Sequence, residues 1–157
     1  MTKRINYAAV SPEALRAMYG VERYARTSGF DQSLLYLVKL CASYINGCAY
    51  CVDMHSKDAR IAGETEQRIY AVPVWRETPF YTDRERAALA YTEAVTALEP
   101  GGVSDEVFGE SAEHFPQAEL VALTMAIVAI NSWNRVVIPF RVEPGSYQPN
   151  SAAAAAS

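Results

Sequence analysis

Asn46-Gly47-Cys48-Ala49-Tyr50-Cys51-Val52-Asp53-Met54-His55 is the stretch from which the rest of the chain can be read. Asn46-Gly47 is a turn signal. It places Cys48 at or near the start of a helix that runs to about Ala62 and stops at Gly63. Two thiols three positions apart on a helix can close a disulfide and open it again. The free N–H groups of a helix N-terminus carry partial positive charge and favour thiolate there. His55 follows Cys51 by one helical turn on the same face. It can take the proton of that thiol or stabilise the thiolate.

Outward from this group the pattern is helical in both directions. Upstream, Ser11-Pro12-Glu13 is a helix start, with a capping serine, proline at the first helical position and an acid in the first turn. Ser28-Gly29-Phe30-Asp31 breaks that helix, and Asp31 caps the next. Leu34, Leu35, Leu37, Val38, Leu40 and Cys41 make the second helix apolar nearly all round, as expected of a central helix. Downstream, Glu64 to Val72 reads as a short helix and Pro73 to Pro79 as a loop holding Trp75. Thr82 and Glu85 form a capping-box pattern. The helix they open ends at Pro100-Gly101-Gly102. Ser104 caps another through Phe115, and Pro116 opens the last long helix, which Pro139 is expected to end. No stretch alternates as a strand does. The expectation is an all-α domain of roughly six or seven helices over residues 1–143, with 144–157 a flexible low-complexity tail.

Composition narrows the function classes. With 157 residues, half of them hydrophobic and 20% charged, the chain fits one globular domain with its own core. A net charge of -4 and a pI of about 5.2, without a Lys/Arg stripe, argue against nucleic acid. The start Met1–Tyr7 has basic residues but no apolar run behind them, unlike a signal peptide. The longest apolar stretch, Leu120 to Ile130, is too short to span a bilayer, so no membrane partner is expected. Three cysteines without a secretory signal argue against a disulfide framework and for a reducing cytoplasm. Cys41, in an apolar helical pattern, reads as a small buried hydrophobe.

Taken from the residues alone, the thiol group leaves two other readings open. Cys48 and Cys51 can be two buried thiols without chemistry. Alternatively, Cys48, Cys51 and His55 can give zinc three ligands, with Cys41 or His114 as the fourth. Structural zinc usually serves domains too small for a core, and this one has a core, so neither a metal nor another cofactor is expected. His114 lies near a helix C-terminus, where the dipole favours a cation and capping explains it. Asp53 and Asp58 are expected to face solvent or a partner subunit. Trp133, Asn134 and Arg135 read as packing plus a buried polar anchor. Tyr36 and Tyr44 are either core aromatics with bonded tips or hydroxyls within reach of the thiols.

Ser43 to His55, with Ala59-Arg60 and Gly63 behind, resembles the core motif of the AhpD-like alkyl hydroperoxidases of the carboxymuconolactone decarboxylase superfamily. The resemblance continues through Trp75-Arg76-Glu77-Thr78-Pro79-Phe80 and Ile130-Asn131-Ser132-Trp133-Asn134-Arg135, and covers most of the chain from about Leu34 to Arg141. A bare C-x-x-C is a weak signal, whereas C-x-x-C-x-x-x-H with these flanks is specific. The resemblance implies an all-helical fold that forms homo-oligomers, often trimers or hexamers. It also implies thiol-dependent reduction of a hydroperoxide substrate. In that scheme Cys51 is the attacking thiolate. Cys48, nearer solvent, resolves the sulfenic acid and takes electrons from a thiol or disulfide-reductase donor. His55 belongs to the proton relay. The family commonly carries a glutamate twelve residues before the first cysteine, where this chain has Tyr36, and often a glutamine where it has Tyr44. Tyrosine is neutral at pH 7 and can only hydrogen-bond. Two alternatives therefore stand beside the peroxidase. One is a redox-sensing or disulfide-exchange protein with little peroxidase activity. The other is a decarboxylase-like enzyme on a muconolactone-type acid, a branch that generally lacks the cysteine pair.

Overall fold

Leu34, Leu35, Leu37, Val38, Leu40, Cys41 and Ala42 are all buried, and the helix that carries them is the axis of the fold. The structure is a computed structural model and describes residues 4–149. The start Met1–Lys3 and the alanine-serine run Ser151–Ser157 lie outside the described residues. The element order is α1 (Tyr7–Val10), α2 (Pro12–Thr27), α3 (Gln32–Ile45), α4 (Ala49–Ile61), α5 (Glu66–Ala71), a 3-10 helix (Val72–Glu77), α6 (Asp83–Ala97), α7 (Asp105–His114) and α8 (Gln117–Phe140). No strand occurs among the described residues, so the all-α expectation holds. The helix number is higher than expected, because the brief α1 has no sequence pattern long enough to announce it. Tyr7 holds α1 in place by stacking on Phe140 at 5.7 Å.

Helix α3 packs against α4, α6 and α8, while α2 lies along α8 and α7 along α6. An apolar side chain fully removed from water contributes about 1.5–3 kcal/mol, so the buried face of α3 alone makes a large share of the driving force. The Asp31 carboxylate caps α3, accepting from the amides of Ser33 at 2.9 Å and Leu34 at 3.4 Å. The capping box read at Thr82 and Glu85 is present in full at the start of α6. Two expectations are corrected. The Pro73–Pro79 segment is largely a 3-10 helix rather than a loop. Trp75 is buried there, with its indole N–H donating to Glu93 at 2.8 Å. Helix α8 does not stop at Pro139 but runs on to Phe140. By length and apolar composition α8 is long enough to cross a bilayer, yet 50% of that stretch is buried inside the domain.

The turn that positions the site is two residues long. The Gly47 amide donates to the Tyr44 carbonyl at 3.1 Å and the Cys48 amide to the Ser43 carbonyl at 2.9 Å. These are the paired bonds of a Schellman C-terminus, and they need Gly47 in the left-handed region, φ +66°. Cys48 thus ends one helix and caps the next, leaving no slack between α3 and the thiol pair.

Candidate active site

Cys48 is the N-cap residue of α4 and Cys51 lies in its first turn, so the spacing read from sequence becomes two adjacent sulfurs at a helix N-terminus. Both thiols are 1% exposed. They pack with Ala42, Ile130 and Val137 in a small apolar cluster between α3, α4 and α8. The resemblance implied that Cys48 is the more accessible thiol. The two are equally closed to solvent, and Cys51, not Cys48, is among the residues that line the cavity.

The cavity has a volume of about 240 Å³. Helix α4 contributes Tyr50, Cys51, Met54, His55 and Asp58 to its wall, α3 Tyr36 and Lys39, and α2 Tyr19 and Glu22. Trp133 of α8 and Tyr147 close the remaining sides. Residues 144–149, which sequence reading assigned to the tail, include a strap fastened to α4. The Gly145 amide donates to Asp53 at 3.0 Å, Lys57 to the Tyr147 carbonyl at 3.1 Å, and the Tyr147 hydroxyl to Asp58 at 2.7 Å. Asp53 and Asp58 therefore face this strap and, for Asp58, the cavity, rather than solvent alone.

The charges around the thiols are unequal. The Cys51 S–H donates toward Cys48, and the amides of Cys51 and Tyr50 and the Asn134 side chain also stabilise a negative sulfur there, against the cost of burial. The Cys48 thiol is brought down to about 7. The same hydrogen bond and burial push Cys51 up, opposed by Asn134 and the Lys39 cation. Burial holds His55 below its ordinary value, so the ring is neutral at pH 7. Its Nδ1 is buried without a hydrogen-bond partner, 3.6 Å from Asp58 Oδ2. Lys39, 3% exposed, is held by Glu22 at 2.5 Å.

One pH dependence follows with a definite sign. A thiol at about 7 is roughly half ionised at neutral pH, whereas an ordinary one is a few per cent ionised. Acidification below 7 protonates Cys48 and removes thiolate about tenfold per pH unit. The ultraviolet absorbance of thiolate is expected to show a step centred near 7 that Cys48→Ser removes. A first step only in the ordinary thiol range would contradict this charge arrangement.

The other sequence candidates divide cleanly. Tyr36 lines the thiol cavity, while Tyr44 lies with Cys41 on a separate cavity beside Glu93. Burial pushes the Cys41 thiol up to about 12, in keeping with an inert buried residue. His114 ends α7, where its carbonyl accepts from Arg84, away from the thiols. Among the described residues no group of three His, Cys, Asp or Glu side chains is placed to hold a metal. Asn134 is the buried polar anchor expected, bonded to Asn46 at 2.9 Å and Ser43 at 3.3 Å. Trp133 contributes to the cavity wall and meets Tyr19 at a tilt of 58°, with ring centroids 5.5 Å apart. Sequence reading missed Glu22 and Lys39 entirely. The signal was there: a lysine inside the apolar run of α3 needs a partner.

Comparison with known proteins agrees with this geometry. The model of the carboxymuconolactone decarboxylase family matches residues 12–94, from α2 into α6, and so includes the whole thiol motif. The uncharacterized protein YdfG of Bacillus subtilis (strain 168) is 41% identical over 138 residues, covering 88% of this chain and 94% of that protein. A crystal structure of a protein of unknown function from Agrobacterium tumefaciens, provisionally named an antioxidant defence protein AhpD, superposes with a TM-score of 0.89 at 46% identity, over 93% of this chain and 100% of that one. The debrominase Bmp8 shares the fold at 20% identity, with a TM-score of 0.78 over 93% of this chain and 77% of its own. On its sequence match and its fold together, the chain belongs to the carboxymuconolactone decarboxylase family and is AhpD-like within it.

Proposed function

We propose that the protein is a thiol-dependent hydroperoxide reductase in which Cys48 and Cys51 cycle between dithiol and disulfide. The observation that carries this reading is the pairing of a cavity-lining thiol, Cys51, with a neutral histidine and a second, readily ionised thiol hydrogen-bonded to it. The antioxidant name given to the Agrobacterium relative supports it.

The steps balance on these residues. Peroxide enters the cavity and meets Cys51, whose proton passes to His55. The sulfur attacks the terminal peroxide oxygen and the O–O bond breaks. The alkoxide takes the proton from His55 and leaves as alcohol, and Cys51 becomes a sulfenic acid. The Cys48 thiolate then attacks the Cys51 sulfur. The S–O bond breaks, the hydroxide leaves as water with a proton from solvent, which replaces the one Cys48 gave up on ionising, and a disulfide remains. Two electrons and two protons from a dithiol or disulfide-reductase donor restore the pair. Cys51 attacks because it has access, and Cys48 resolves because it is already ionised. A homo-oligomer, trimer or hexamer, belongs to the same reading, and exposed Val121, Val128 and Ile138 on α8 supply an apolar face for it.

One equivalent of cumene hydroperoxide added to reduced protein is expected to leave one titratable thiol of the three after denaturation, that of Cys41, and to yield one equivalent of cumyl alcohol. Three thiols remaining would remove the reading. A neutral Tyr36 on the cavity wall favours the sensor alternative, in which the disulfide forms but sustained turnover with a donor stays at background.

A further inference from the structure

His55 presents an unresolved pairing. Its Nδ1 is fully enclosed and has no hydrogen-bond partner, although buried ring nitrogens are normally satisfied. The nearest acceptor is Asp58 Oδ2 at 3.6 Å, about 0.4 Å beyond the usual N–H···O limit of ~3.2 Å. A lone pair on Nδ1 would face a carboxylate oxygen in a dry place, and the two would repel. An N–H there is attracted instead and needs only a small side-chain rotation to bond.

The groups that face the ring decide the field on it. From α2 and α3, Glu22 and Lys39 act in opposite senses and neutralise one another at 2.5 Å. Tyr36 is neutral, its hydroxyl pushed further up by burial and by Asp58. On α4, Cys51 is the protonated member of its pair. Asp58 is left as the carboxylate that orders the ring. Burial works against its charge, but His55, the Tyr147 hydroxyl and Arg26 outweigh burial and hold it below the usual carboxylate range.

Asp58 is also held from the other side. The Tyr147 hydroxyl donates to Oδ1 at 2.7 Å, and Tyr147 itself is pinned through its carbonyl by Lys57. The two carboxylate oxygens thus have separate tasks: one ties down the strap, the other faces the imidazole. We propose that Asp58 is the positioning residue that fixes His55 as its Nδ1–H tautomer, held for that task by the Tyr147 hydroxyl, so that Nε2 is the nitrogen that accepts the thiol proton. The assignment deepens the peroxidase reading and rests on it only for the reaction that the ring serves.

Ring-nitrogen NMR of the full chain tests it without peroxide, with His114→Gln to assign the single remaining histidine. Wild type is expected to show His55 as Nδ1–H with an unprotonated Nε2. Asp58→Ala is expected to lose that tautomer to Nε2–H, and Tyr147→Phe to move the ratio in the same direction by less. An Nε2–H ring in wild type overturns the proposal with no variant needed, and so does a tautomer unchanged in a folded Asp58→Ala. The expected tautomer in a protein that consumes no peroxide would support the positioning role while removing the peroxidase reading.

Discussion

Replacing Cys51 by serine is expected to bring the consumption of cumene hydroperoxide with a dithiol donor down to that of donor alone, a loss of roughly a thousandfold or more from wild-type turnover. The size follows from chemistry rather than stability. A serine hydroxyl occupies nearly the same space, so the cluster with Ala42, Ile130 and Val137 stays packed. It has neither the nucleophilicity of sulfur nor a two-electron oxidation to offer. Cys51 is also the thiol on the cavity wall, so no neighbouring sulfur reaches the peroxide in its place.

The companion variant makes the result specific. Cys48→Ser keeps the attacking thiol and removes the resolving one. It is expected to consume one equivalent of peroxide and then stop, with a sulfenic acid on Cys51 that a dimedone-type probe traps. If Cys48→Ser instead fails to form the sulfenic acid while Cys51→Ser forms one at Cys48, the two roles are exchanged. That outcome would mean that the lower pKa of Cys48 outweighs the place of Cys51 on the cavity wall.

The parts of this architecture that were legible in sequence are those fixed by neighbours in the chain. Asn46-Gly47 announced the turn, and the turn needs little beyond a left-handed glycine and two backbone bonds. Thr82 and Glu85 lie three residues apart and cap each other. Cys48, Cys51 and His55 share one helix, so their spacing alone brought them together. What stayed hidden depends on distant contacts. Tyr147 reaches Asp58 across 89 residues, from a segment with no periodicity to mark it as structured. Asp58 lies three residues from His55 and was therefore readable as its neighbour. It was assigned to solvent or a partner subunit because a charged side chain on a helix usually lies at the surface. Only the docking of the strap reverses that preference. Lys39 is the opposite case: the local conflict of a cation in an apolar helix was there to be read and was passed over, and its partner Glu22 could not have been named from it.

Asn134→Leu is expected to cost about 2 kcal/mol of stability and to raise the pKa of Cys48 at the same time. Asn134 is 0% exposed and joins α8 to the turn that carries the thiols. Its carbonyl accepts from Asn46 at 2.9 Å, and its amide donates to Ser43 at 3.3 Å. Leucine keeps the branching of asparagine but is bulkier, so some strain of packing at this buried site adds to the lost hydrogen bonds. Asn46 keeps Asn131 as an acceptor at 2.9 Å, which limits the penalty on that side. Ser43 loses its donor in a buried position, and the Cys48 thiolate loses a group that stabilises it. The thiolate step should therefore move up from about 7 toward the ordinary thiol range, leaving less thiolate at neutral pH. Urea unfolding followed by circular dichroism gives the first quantity, and thiolate absorbance gives the second. A lowered midpoint with an unmoved thiolate step would mean that Asn134 is a structural anchor alone. A moved step with unchanged stability would mean that it serves the thiols alone. The position of Asn134, bonded to the last turn of α3 while facing the start of α4, is the reason to expect both.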